Sequence, residues 1–187
     1  MVGQIAELSG YEYYQDSHLE GGWSWERHAQ SQETLDKIRS DQWDVVILQE
    51  YSTRPAYDEA TVCNQTVPYL DQLATAIRAN NPETLIQFYL TWGRPYGEES
   101  LCESMEQFCS YETMQEALTA RYSSFACLTK PARLAPVGEA FRSNGGVGGG
   151  WYNDFPVYIS GESSCWITTL MTPISTLCTC LETTTPV

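Results

Sequence analysis

Two short runs constrain this chain more than anything else in it. Asp44-Val45-Val46-Ile47-Leu48-Gln49 sets four apolar residues in a row, and Thr84-Leu85-Ile86-Gln87-Phe88-Tyr89-Leu90 repeats the pattern further on. Apolar runs this short, without alternation, read as strands covered on both faces, which is how strands of parallel sheets are buried. Between them Val67, Leu70, Leu73, Ala74 and Ile77 recur at helical spacing as far as Asn80-Asn81-Pro82, where proline disfavours continuation. After the second run, a polar loop with Gly93, Pro95 and Gly97 leads to a helix over about 111–127, whose apolar face carries Met114, Leu118, Tyr122 and Phe125. Residues 133–137 read as a last strand, and 139–142 begin another helix. Ahead of the first run, Val2, Ile5 and Leu8 mark a helical face ending at Gly10, and residues 11–19 read as a strand running into Gly21-Gly22. Trp25, His28, Thr34, Leu35 and Ile38 then suit one helix or two short ones, with Ser24 as N-cap. This alternation predicts an α/β sandwich with a mostly parallel sheet.

A chain of 187 residues is enough for one domain with a core and short for two. Ten Lys plus Arg against 24 Asp plus Glu leave a net charge of −14, which repels nucleic-acid phosphates and anionic membrane surfaces. Nucleic acid is therefore no expected partner. The 42% hydrophobic and 18% charged composition separates the chain from disordered sequences of similar acidity. No run approaches the roughly 20 apolar residues of a spanning helix, and an acid, Glu7, arrives before any apolar run that could serve as a secretory signal. Seven cysteines favour an oxidising compartment, and Cys102 and Cys109 are placed to meet across a short polar loop, with Cys63 the competing partner. Zinc spacing is missing: Cys178-Thr179-Cys180 is the one close pair, and no His lies near a Cys in sequence. Neither a metal nor another cofactor is expected. Asn64-Gln65-Thr66 forms an N-glycosylation sequon, in keeping with an extracellular or secretory location.

The run from Asn144 to Gly150 holds five glycines but follows a helix instead of ending a strand, so it reads as a linker and not as a dinucleotide loop. Composition then changes. Residues 161–187 hold eight threonines and three cysteines with no Lys, Arg, Asp or His, and no helical or strand period persists. A docked irregular segment, an alternative exon and a shifted reading frame each account for this. The expected organisation is a domain over 1–154 and an irregular, non-native tail over 155–187.

In an open parallel sheet the ligand crevice lies at the carboxyl ends of the strands. Three polar segments fall there: Glu20-Gly21-Gly22-Trp23-Ser24, Gln49-Glu50-Tyr51-Ser52-Thr53-Arg54-Pro55, and Thr91-Trp92-Gly93-Arg94-Pro95. A strand-end glycine can turn its N–H towards an oxyanion and a glutamine amide can supply a second donor, although glycines also simply turn chains and a glutamine can cap a loop.

At these residues the chain resembles a known family. Gly21-Gly22-Trp23 followed by His28-Ala29-Gln30-Ser31, the run from Trp43 to Pro55, Phe88-Tyr89-Leu90-Thr91-Trp92-Gly93-Arg94, Tyr111-Glu112-Thr113-Met114-Gln115 and Ala135-Pro136-Val137-Gly138-Glu139-Ala140 look like a branch of the SGNH hydrolases, the GDSL-like esterases. Together these span about residues 2–142. The resemblance implies a three-layer, flavodoxin-like α/β fold whose first strand is missing here, and hydrolysis of carbohydrate or lipid-like esters. Gly22 matches the family's oxyanion glycine, Gln49 lies near its second oxyanion donor, and Asp154 is the candidate for the triad acid.

Such a triad works because a hydroxyl attacks poorly until a histidine takes its proton, and because preset donors must hold the oxyanion. The family's Gly-Asp-Ser or Gly-Asn-Ser turn occurs nowhere in the sequence, and no histidine follows His28. Ser24 and Ser52 flank the expected crevice but occupy no nucleophile turn, and His18 and His28 fall in the wrong part of the pattern for a general base. The expectation is an esterase scaffold inactive as this chain. The alternative is a carbohydrate-binding or interaction protein on the same fold, using some of its 18 Tyr and Trp residues to stack on sugar rings.

Overall fold

The computed structural model describes residues 8–10 and 12–143. Helices α1 (Trp25–Gln30) and α2 (Gln32–Arg39) lead to strand β1 (Val45–Leu48). A 3-10 turn (Arg54–Ala56) and helices α3 (Glu59–Gln65) and α4 (Val67–Asn80) lead to β2 (Leu85–Tyr89). Helix α5 (Glu99–Cys102), a second 3-10 turn (Glu106–Phe108) and helix α6 (Tyr111–Leu128) precede β3 (Ala132–Ala135), and α7 (Val137–Ser143) follows it. Among the described residues the three strands form one open parallel sheet in the order β1-β2-β3. The chain is thus α/β, and its crossovers carry helices, as parallel pairing requires.

Register explains the core. Val46 pairs with Ile86 and Leu48 with Phe88, while Ile86 pairs with Ala132 and Phe88 with Leu134. These residues share one face of the sheet, and all of them belong to or pack against the hydrophobic core. Trp25 from α1 and Tyr122 and Phe125 from α6 close over Phe88 at ring-centroid distances of 5.7, 6.4 and 6.2 Å. Helix α4 packs against α1, α2 and α3, and α6 against β2, β3 and α7. Gly138 is where α7 passes closest: a Cβ there would overlap the Thr91 carbonyl oxygen and lie 2.6 Å from Gln115 Nε2.

The opposite face is different. Val45 and Ile47 remain 42% and 60% exposed, and Arg133, on the same face beside Gln87, is exposed too. The expectation that β1 is covered on both faces is therefore corrected: a run of four apolar residues supplies a greasy face on each side, but the described helices cover only one.

Residues 12–19 form no strand, against the expectation for 11–19. Their apolar members stay largely in solvent, with Tyr13, Tyr14 and Leu19 at 45%, 70% and 86% exposure. Side-chain ties hold the segment instead: Lys37 bonds Asp16 at 2.7 Å, Tyr14 stacks on Trp43, and His18 reaches Thr34. Other elements fall where periodicity put them. The helix of 67–80 ends before Pro82, and the region after Ser24 splits into the two short helices. Strand β3 begins one residue earlier than expected, and Val137 opens α7 instead of closing the strand. Cys102 and Cys109 are joined as a disulfide with a Cα–Cα distance of 4.6 Å. Among the described residues no helix is long and apolar enough to cross a membrane. Most of the expected helix before Gly10, the glycine linker and the Thr/Cys-rich tail lie outside the described residues.

Candidate site at the carboxyl ends of the strands

The chain leaving β1 turns inward at Glu50, whose side chain is fully buried. Its Oε1 accepts the N–H of Tyr51 at 2.6 Å and of Trp25 at 3.1 Å, and Oε2 lies 3.3 Å from the same Trp25 N–H. Helix α1 thus begins on a carboxylate from another segment. Ser24 occupies the N-cap position, as expected, but makes no side-chain capping bond. The Trp25–Glu50 contact brings two of the three predicted segments together, the glycine turn before α1 and the end of β1. Gly22 sits in that turn with φ +76° and open space around it, a conformation glycine adopts without strain. Gln49 is exposed, one residue before Glu50. Asp154 lies outside the described residues.

The third segment forms a second polar cluster. The Gly93 N–H donates to Gln115 Oε1 at 3.0 Å, Gln115 Nε2 donates to the Thr119 hydroxyl at 3.2 Å, and that hydroxyl donates in turn to Glu139 of α7. The Gly138 N–H donates to the Leu90 carbonyl at 2.9 Å. A buried glutamine in α6 therefore fixes the loop after β2, and helix α7 is tied to the end of the same strand.

Electrostatics single out Glu50. Burial pushes its carboxyl up to about 7, although the N–H groups of Tyr51 and Trp25 and the charge of Arg54 pull the other way. Among the described residues no guanidinium or ammonium pairs with it directly, and Arg54 is engaged with Glu26 at 3.0 Å. Tyr122, whose hydroxyl accepts the Glu50 backbone N–H at 3.1 Å, is pushed up by burial and stays neutral. The two histidines sit together beside this region. His18 Nδ1 and His28 Nδ1 lie 2.7 and 3.1 Å from the one Thr34 hydroxyl, with Trp23 against both rings. Burial and the neighbouring His18 hold His28 below its ordinary value. The Ser24 carbonyl accepts the His28 N–H at 3.1 Å at the start of α1, but among the described residues neither the Ser24 nor the Ser52 hydroxyl bonds a histidine, and Ser24 holds the N-cap position without a side-chain capping bond. Two buried polar residues at the strand ends, Glu50 and Gln115, were given no role from the sequence. An acid directly after an apolar run is the one signal that could have raised Glu50.

A depression of about 310 Å³ lined by Arg39, Ala76, Ala79 and Asn80 lies beside the amino end of β1, where Asn80 bonds the Asp41 carbonyl, and so away from this site. Comparison with known proteins gave no match to any family model, any curated protein or any solved structure.

Proposed function

We propose that this chain has the scaffold of an SGNH-type ester hydrolase, acting on carbohydrate or lipid-like esters, with Gly22 and Gln49 as the oxyanion donors and Asp154 as the triad acid. The observation that carries the reading is the Trp25–Glu50 contact, which brings the glycine turn before α1 to the carboxyl end of a parallel strand, where the run from Gln49 to Pro55, a specific part of the resemblance, begins. That is where open α/β sheets bind ligands. The three-layer arrangement belongs to the same proposal, supported by helices on one sheet face and by apolar Val45 and Ile47 left on the other, where a further layer would pack. The Cys102–Cys109 disulfide supports an extracellular or secretory location.

The 187 residues carry neither a Gly-Asp-Ser or Gly-Asn-Ser turn nor a histidine after His28. They are therefore expected to hydrolyse a short-chain nitrophenyl ester no faster than background, since loss of triad members lowers rates by orders of magnitude. Turnover that survives changes at Ser24 and Ser52 but disappears in His28→Asn would overturn the assignment. The gene's own sequence tests the family relation: an upstream open frame encoding a Gly-x-Ser turn, or a shifted frame after Asn153 encoding Asp-x-x-His, supports it, and absence of both refutes it.

Tyr51 and Tyr96, 37% and 88% exposed after β1 and β2, favour a second reading, a non-catalytic site that stacks aromatic rings on sugars. Calorimetric binding of an acetylated oligosaccharide without turnover, weakened by Tyr51→Ala, is the result this reading expects.

A further inference from the structure

We propose that Glu50 is a proton-controlled latch, holding the first turn of α1 and the glycine turn before it against the carboxyl end of β1. The geometry is that of a clasp: one enclosed carboxylate spans two segments 25 residues apart and is met by backbone N–H groups alone. Its charge is not neutralised in place. The facing groups are Glu26 on α1, Arg54 on the 3-10 turn and Tyr122 on α6. Arg54 is shared between Glu26 and the Gln65 carbonyl, its bond to Glu26 holds that carboxyl below its ordinary value, and Tyr122 stays neutral. Glu50 is thus the member of this group that changes charge near neutrality. His28, also on α1, titrates below its usual value and bears on Thr34 and His18.

The direction follows from linkage. Closed, Glu50 holds its proton to about pH 7, whereas a glutamate released to water holds it only to its ordinary value of 4.5. The closed form therefore binds the proton more tightly, and raising the pH between these values favours opening about tenfold per unit. Above about pH 7 the latch is at its loosest, and below about pH 4.5 at its tightest. Nothing in this depends on ester chemistry, so the inference stands or falls separately from the proposed activity.

The test uses the whole 187-residue chain with carbon-13 at the glutamate carboxyls, followed by NMR together with amide exchange at Trp25 and Tyr51, corrected for intrinsic base catalysis. One glutamate carboxyl is expected to titrate near neutrality and to be missing from Glu50→Gln. Opening at Trp25 is expected to rise on the order of a hundredfold from about pH 5 to about pH 8 in the wild type and to stay level in Glu50→Gln. A Glu50 carboxyl that titrates at the ordinary carboxylate value, or Trp25 opening with the same pH dependence in both proteins, overturns the proposal. Should Glu50→Gln not fold, the wild-type carboxyl titration and the wild-type Trp25 exchange decide it together.

Discussion

Burying a carboxylate without a cation beside it is costly, and the cost depends on whether the proton is present. For Glu50 the value in the folded chain, about 7, lies above the ordinary 4.5. A group raised in this way contributes stability that is fully present below its unfolded value and is lost as pH rises through the folded one. Wild-type protein is therefore expected to lose about 3 kcal/mol between about pH 4.5 and about pH 7 on account of this one side chain. Glu50→Gln, which keeps an oxygen for the Trp25 and Tyr51 N–H groups but cannot ionise, is expected to flatten that slope. Denaturant midpoints of both proteins on either side of neutrality check it, and parallel slopes would place the pH dependence elsewhere. The sequence placed Glu50 in a polar segment at the expected crevice but did not show that its carboxyl is enclosed. Only the fold, carrying Trp25 back from 25 positions upstream, shows that it is enclosed.

At the scale of elements, the strands and long helices were legible because each is marked by its own residues: the apolar runs of β1 and β2, the spacing from Val67 to Ile77, and Pro82 as a stop. What covers a strand was not, because Val45-Val46-Ile47-Leu48 is apolar towards both faces whether one layer or two lies against it. The false strand at 11–19 has a related origin: aromatic residues carry high strand propensity, but propensity alone does not make a segment pair with a neighbouring strand. Gly22 and Gln49 were legible as positions, at the ends of elements, and Gln115 was not, since its bond to the Gly93 N–H joins elements that meet only in the folded chain. The Cys102–Cys109 pairing was legible because proximity in sequence alone allows it. Closing that short loop is expected to contribute about 2.5 kcal/mol through chain entropy, so Cys102→Ser with Cys109→Ser should lower the denaturation midpoint accordingly. Unreduced peptide mapping that finds both thiols unpaired would contradict the pairing itself.

For the molecule as a whole, the apolar side chains that β1 leaves exposed among the described residues bear on its behaviour in solution. Among the described residues β1 pairs only with β2, so its outer edge and its apolar side chains Val45 and Ile47 are available together. Edges of this kind recruit other chains. Concentration-dependent self-association of the 187-residue protein is expected by light scattering, despite the repulsion of its −14 charge. Val45→Thr with Ile47→Lys is expected to reduce it at a cost of under about 1 kcal/mol, because little burial is removed. A wild-type protein that remains monomeric at high concentration would show that the edge is already protected. The one-sided core has another consequence, for how the protein responds to urea. The steepness of an unfolding transition scales with the surface newly wetted when the chain opens, and among the described residues Val45 and Ile47 of β1, already in water, leave less to wet. The described fold should therefore melt over a broader span of denaturant than its length suggests, and any segment or ligand that comes to lie on Val45 and Ile47 would announce itself by sharpening the transition as well as shifting it.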